Sequence, residues 1–160
     1  MLLDTTVFKA YDVRGLYPGE INERLTEQIG RAFVAHLKAR RIVVSRDMRL
    51  SSPALASAFI AGARMQGADV TDIGLMGTDQ MYFAVAGGNY DGGAQITASH
   101  NPGRYNGIKL VGRQAVPLSG DSGISDIRDM LLADAVPPMA EHQGHYEELD
   151  LFQDYIDCIL

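Results

Sequence analysis

Arg41-Ile42-Val43-Val44-Ser45 is a short apolar run set between two longer segments of helical period, and this alternation decides the fold class. A run without polar alternation suits a strand covered on both faces, as in a parallel sheet. On its N-terminal side, residues 21–39 carry Leu25, Ile29, Phe33, Val34 and Leu37 on one stripe, which predicts a helix. On its C-terminal side, Ser51-Ser52-Pro53 reads as a helix start, with a hydroxyl to cap and proline in the first turn. That helix is expected to reach Gln66 before Gly67 stops it.

The alternation continues outward. Residues 68–73 read as a second strand, Thr78 caps a third helix running to about Ala86, and residues 91–97 form a third strand. Residues 107–112 make a short fourth strand opposing or flanking the third. Residues 122–133 read as a helix, Pro137-Pro138 breaks the chain, and residues 146–160 look helical at their end. Strands separated by helices of these lengths imply an α/β fold with a largely parallel sheet, whose ligands bind beyond the carboxyl ends of the strands. We divide the chain into an α/β domain at 1–136 and a connection with a helix start at 137–160.

Composition bounds the function. The chain of 160 residues is 46% apolar and 21% charged, enough for one globular domain with a core. Its net charge of -6 argues against nucleic acid as a partner. Within residues 92–120, however, there is no Asp or Glu, while His100, Arg104, Lys109 and Arg113 all fall there, so one stretch of an acidic protein suits a small anion. The single cysteine, Cys158, excludes a disulfide framework and a cysteine-based zinc site, and points to a reducing cytoplasm. Met1-Leu2-Leu3-Asp4 is no signal peptide and no apolar run is long enough for a membrane span, so we expect a soluble, cytoplasmic protein without a membrane partner.

The chemistry concentrates in Thr97-Ala98-Ser99-His100-Asn101-Pro102, followed by Tyr105-Asn106-Gly107-Ile108-Lys109. A hydroxyl, an imidazole, a turn-forming Asn-Pro and a cation follow a strand end, which makes a candidate site for carrying a phosphoryl group. Serine is a weak nucleophile, but its phosphate ester is a donor whose transfer demands positioning and charge neutralisation above all. At ~4 Å and an effective dielectric of about 20, one facing cation is worth about 4 kcal/mol before desolvation, which gives Lys109 and Arg14 weight. Ser99 and His100 are no hydrolase dyad by adjacency, and Gly-x-Ser-x-Gly is absent.

These residues, from Gly93 through Pro102 and on to Lys109, resemble the phosphoserine loop of the α-D-phosphohexomutases. Phe8-Lys9-Ala10-Tyr11-Asp12-Val13-Arg14-Gly15, Ser45-Arg46-Asp47-Met48-Arg49-Leu50-Ser51-Ser52 and Gly77-Thr78-Asp79-Gln80-Met81-Tyr82-Phe83 agree with that family in the same order. The resemblance covers only the family's first domain, and implies a three-layer α/β/α domain with a mixed, largely parallel sheet. The family's metal-binding, sugar-reading and phosphate-binding loops belong to later domains, and no Asp-Gly-Asp-Gly-Asp run occurs here. The chain therefore reads as a first domain whose partners are the remaining domains of the same polypeptide and a hexose phosphate. Alone it is expected to be inactive.

The resemblance implies a catalytic set of Ser99, His100, Lys109 and Arg14, with Tyr11, Thr97, Asn101 and Arg104 contacting substrate or supporting the loop. Magnesium would be held through the phosphate on Ser99, its other ligands lying in a later domain, and a hexose 1,6-bisphosphate would serve as activator and intermediate. Net, mannose 6-phosphate, or the glucose ester, becomes the 1-phosphate. Each residue keeps a plainer reading. His100 can simply cap or pack under the loop, Lys109 can be the solvent-facing position of a strand, and Tyr11 can pack in the core. Asn106-Gly107 is first of all a turn signal, and Arg46, Asp47, Arg49 and Ser51 read as a structural cluster supporting the loop. Two other functions stand beside the mutase: a phosphoglucosamine mutase, and a non-catalytic phosphosugar-binding or assembly module.

Overall fold

In the computed structural model, which describes residues 2–160, the central strand of the sequence reading becomes β2 (Arg41–Arg46), buried between parallel neighbours β3 (Asp69–Leu75) and β4 (Gly92–Ile96). Around them lie β1 (Val13–Leu16), β5 (Tyr105–Gly112) and β6 (Tyr146–Glu148), giving one sheet of order β1-β5-β4-β2-β3-β6. β5 runs antiparallel to both β4 and β1, whereas β6 pairs parallel with β3. The sheet is thus mixed and largely parallel, as expected.

Helices cover both faces. α1 (Glu23–Leu37), α2 (Ser52–Met65) and α4 (Ile124–Leu132) enclose the larger core with Ile42, Val44, Val70, Ala94, Ile96, Ile108 and Leu110. α3 (Thr78–Gly87) covers the other face, where Val43, Ile73, Met81, Val85 and Val111 pack. Phe33 and Phe59 are fully buried where α1 meets α2, their ring centroids 5.7 Å apart. Burying each such side chain is worth about 1.5–3 kcal/mol, so this contact anchors the layer. The last helix, α5 (Phe152–Ile159), rests on α3 through an edge-to-face contact of Tyr155 with Phe83.

Several local expectations change. α1 is capped by the Asn22 side chain, which accepts from the Leu25 N–H, and Gly67 does end the α2 segment, at φ 93. Ser51, however, sits at the start of α2 without capping it: its backbone is helical, φ -83 and ψ -14, where a cap is extended, and its hydroxyl accepts from Asn106. Thr78 is the first residue of α3 rather than its cap, which is Gly77. Asn106-Gly107 is no turn: both residues lie inside β5, fully buried in the case of Asn106.

Two strands escape the sequence reading. β1 is four residues long and includes Arg14 and Gly15, so it exists as a strand through its pairing with β5. β6 is three exposed residues in the segment read as a connection, and it is seated by polar contacts. Val70 donates to the His145 carbonyl at 2.8 Å, Leu149 to the Asp72 carbonyl at 3.0 Å, and Tyr146 Oη to Asp72 Oδ2 at 2.8 Å. Among the described residues, no helix is long and apolar enough to cross a membrane.

Candidate functional site

Residues 97–104 join β4 to β5 across the carboxyl edge of the sheet. Thr97 still continues the ladder, donating to the Gly107 carbonyl at 2.9 Å, and then two turns follow, closed by Asn101 to Ala98 and Tyr105 to Pro102. Between them Ser99 adopts a left-handed backbone, φ 55, a conformation that costs a residue with a β-carbon. Its N–H donates to Thr97 Oγ1 at 3.0 Å, and Thr97 Oγ1 in turn donates to Asp47 Oδ2 at 2.7 Å.

The segment after β2 carries the loop from below. Arg49 Nη1 donates to the carbonyls of Pro102 at 2.8 Å and Tyr105 at 3.1 Å, and Nη2 to those of Ser99 at 3.0 Å and Asn101 at 2.7 Å. Its Nε pairs with Asp47 Oδ2 at 3.1 Å, and the Arg49 side chain is only 7% exposed. Asp47 Oδ1 accepts from the Arg49 N–H and from Ser52 Oγ, the latter at 2.6 Å. Asn106 Nδ2 reaches Ser51 Oγ and Ser52 Oγ at 2.7 and 3.0 Å. Asp47, Arg49 and Ser51 therefore form the supporting cluster read from the sequence. Arg46 does not join it: at the end of β2 it turns to a cleft of about 500 Å³ lined also by Asp72 and Glu148, outside the Ser99 loop.

Of the remaining predicted residues, Arg14 and Asn101 come together, with Arg14 Nη1 donating to Asn101 Oδ1 at 2.6 Å. The other arm of Arg14 pairs with Asp12, and Arg14 Nε is buried without a partner. Lys109 lies half-buried on β5 opposite Gln95, on the sheet face that also carries Val111 and α3. His100 is exposed, and Arg104 is exposed with its guanidinium 5.6 Å from the Tyr105 ring centre. Tyr11 is 76% exposed, so its core reading is set aside.

Three supporting residues have no site role in the sequence reading: Asp12, Ser52 and Asn106. Asp12 follows Tyr11 in a motif whose cation drew the attention, and only the fold shows that its side chain is 11% exposed against Arg14. Asn106 is masked by the turn signal of Asn-Gly. Among the described residues, no group of three or more His, Cys, Asp or Glu side chains could hold a metal ion. The two carboxylates nearest the loop are already committed, Asp47 to Arg49, Thr97 and Ser52, and Asp12 to Arg14.

Comparison with known proteins fits this arrangement. Residues 5–134 match the family model described as phosphoglucomutase/phosphomannomutase, alpha/beta/alpha domain I. The chain is 45% identical over 156 residues to a phosphomannomutase of Salmonella typhimurium, covering 97% of this chain and 34% of that protein. It is 44% identical over 153 residues to a phosphomannomutase of Klebsiella pneumoniae, covering 95% of this chain and 98% of that relative. The crystal structure of a phosphoglucomutase/phosphomannomutase family protein from Burkholderia thailandensis superposes with a TM-score of 0.90 at 35% identity, over 99% of this chain and 36% of that one. The chain thus spans about a third of the length of the Salmonella relative. With the model matched over most of the chain and the same sheet in a solved relative, this chain belongs to the phosphoglucomutase/phosphomannomutase family, as its α/β/α domain I.

Proposed function

We propose that this chain is the phosphoryl-carrying domain of a phosphohexomutase, with Ser99 as the carrier. The observation that carries the reading is the Ser99 loop itself: a serine held in a left-handed turn at the carboxyl edge of the sheet, in a stretch without carboxylates, its backbone tied to Thr97 and Arg49. In the forward reaction a sugar hydroxyl of the hexose monophosphate attacks the phosphorus of phosphorylated Ser99. The bond from phosphorus to Ser99 Oγ breaks, the hydroxyl proton leaves to a base as Oγ takes up a proton to become a free serine hydroxyl, and a hexose 1,6-bisphosphate results. Its other phosphate then returns to Ser99 Oγ by the reverse of that step. Mannose 6-phosphate, or the glucose ester, becomes the 1-phosphate.

Lys109, half-buried on β5, and His100, exposed on the loop, would move the proton or meet a phosphate oxygen. Arg14 contributes charge while bridging Asp12 and Asn101, and Arg104 and Tyr11 offer exposed groups to the substrate. Magnesium would take a phosphoryl oxygen and offset its charge. Among the described residues no group of three or more carboxylate, His or Cys side chains could hold it, so its other protein ligands would come from a later domain. The chain alone, a third of the length of the Salmonella relative, would not turn over substrate.

The test is Ser99→Ala in the longest natural polypeptide that contains this sequence, together with phosphopeptide mass spectrometry of the unmutated protein purified with phosphatase inhibitors. Phosphate on Ser99 and loss of mutase activity in the variant are expected. Near-normal turnover by Ser99→Ala would sink the assignment.

A further inference from the structure

We propose that Arg49 is the positioning residue of the phosphoryl carrier: it holds Ser99 in the left-handed conformation from which Oγ is presented, without touching the reacting atoms. This rests on the reading of Ser99 as the carrier. An arginine side chain has five N–H donors in a rigid planar fork. Here all five are used, one on the Asp47 carboxylate and four on the backbone carbonyls of Ser99, Asn101, Pro102 and Tyr105. Those four carbonyls span the whole loop from the carrier to the first residue of β5, so a single buried group fixes both turns at once.

The two sides of Ser99 are locked through the same carboxylate. Its carbonyl accepts from Arg49, and its N–H donates to Thr97 Oγ1; Arg49 and Thr97 both donate to Asp47 Oδ2. The unfavourable φ of 55 is thereby over-determined from both peptide units. Lysine cannot substitute, because an ammonium on a flexible stem has three donors and cannot address carbonyls on both sides of a fork. Loosening the loop displaces the reacting oxygen, and a misplacement of about 1 Å lowers transfer rates about 100-fold.

The experiment follows single-turnover phosphorylation of Ser99 by a hexose 1,6-bisphosphate in the longest natural polypeptide containing this chain. It compares wild type, Arg49→Lys, Arg49→Ala and a core control, Phe59→Leu, alongside their melting temperatures. In Arg49→Lys the maximal rate is expected to fall about 100-fold while the half-saturating bisphosphate concentration stays at the wild-type value, since the residue acts on geometry rather than on binding. Millimolar guanidinium is expected to restore part of the rate to Arg49→Ala and none to Arg49→Lys, whose stem fills the cavity. Phe59→Leu is expected to melt earlier yet transfer at the wild-type rate. A wild-type rate in Arg49→Lys overturns the proposal, as does a loss of rate in Phe59→Leu as large as that in Arg49→Lys at equal melting temperature. If Arg49→Ala does not fold, Arg49→Lys decides alone. Failure of the wild-type protein to take phosphate on Ser99 is a separate result, and it overturns the carrier reading and this inference with it.

Discussion

Gly62→Ala is expected to force α1 and α2 apart, and the sign of its effect is set by two opposing terms. A β-carbon built on Gly62 would stand 2.0 Å from the Glu27 carbonyl oxygen and 3.2 Å from the Arg31 nitrogen, both backbone atoms of α1. No flexible side chain is there to yield, so the helices must separate by roughly 1 Å, and overpacking of this kind costs at the upper end of about 1–3 kcal/mol. Against this, alanine in a helix interior is favoured over glycine by about 1 kcal/mol. The balance is a loss of about 2 kcal/mol, or about 4–8 °C in melting temperature for a chain of this length. Gly87→Ala is the matched control, since no atom lies within 4 Å of a β-carbon at the end of α3, and it should stabilise by about 0.5 kcal/mol. Urea unfolding at neutral pH gives both midpoints. A Gly62→Ala midpoint at or above wild type would mean that α1 and α2 do not cross where Gly62 meets Glu27, and the packing argument would fail with it.

Stability should depend on pH through two groups, Asp91 just before β4 and Tyr146 on the edge strand β6. Burial alone would raise the Asp91 carboxyl, but the N–H groups of Arg40 and Arg41 at 2.7 and 3.2 Å and the Arg113 guanidinium at 2.5 Å outweigh it and hold the group below the usual carboxylate range. A lowered folded-state pKa contributes stability above the ordinary value of about 3.9 and loses it as pH falls through the folded value. Asp91→Asn should therefore flatten the acid limb of the urea midpoint, and an unchanged limb counts against the assignment. Tyr146 is raised, first by burial and then by its bonds to Asp72 and Glu148 at 2.8 and 3.0 Å. Its contribution is present below the ordinary value of about 10 and is lost as pH rises beyond it. The amides of Val70 and Leu149 bond between β3 and the residues flanking β6; their protection relative to the base-catalysed exchange of an unfolded chain at the same pH should fall on the alkaline side in wild type and lose that dependence in Tyr146→Phe, and the same fall in protection in both proteins would refute this role.

The sequence made the central layer legible because there the period and the burial coincide. Ile42-Val43-Val44 is apolar on both faces, and both faces are covered; the stripe Leu25, Ile29, Phe33 on α1 is the stripe that packs. What it could not show was whatever depends on a distant partner. Val13-Arg14-Gly15-Leu16 becomes a strand only beside β5, and Tyr146-Glu147-Glu148 only beside β3, where polar contacts rather than an apolar run hold it. Ser51 has the right residue type for a cap, but its backbone is helical and its hydroxyl meets Asn106, 55 positions away. At the site, the motif drew attention to the side chains that can meet a substrate. The residues that shape the loop were harder to see, because an arginine whose donors all go to backbone carbonyls leaves no pattern in spacing.

The acidic balance of the chain and the anion-handling role proposed for the loop are reconciled by where the carboxylates go. Net charge is -6, yet the two carboxylates beside the loop are each tied to an arginine, Asp12 to Arg14 and Asp47 to Arg49. Their side chains are 11% and 16% exposed, so little of either charge reaches the surface unpaired. The Asp47–Arg49 pair sums to zero at short range, and the Arg49 side chain, 7% exposed, stabilises the loop instead of facing solvent. Among the described residues, the side chains of His100, Arg104 and Lys109 carry no ion pair. Arg104, exposed on the loop, and Lys109, half-buried on β5, therefore leave positive charge without a paired carboxylate, although the protein as a whole is negative. Neutralising Asp47 would spoil this division twice, since Arg49 would lose its buried counter-charge and Thr97 the acceptor that aims its hydroxyl at the Ser99 N–H.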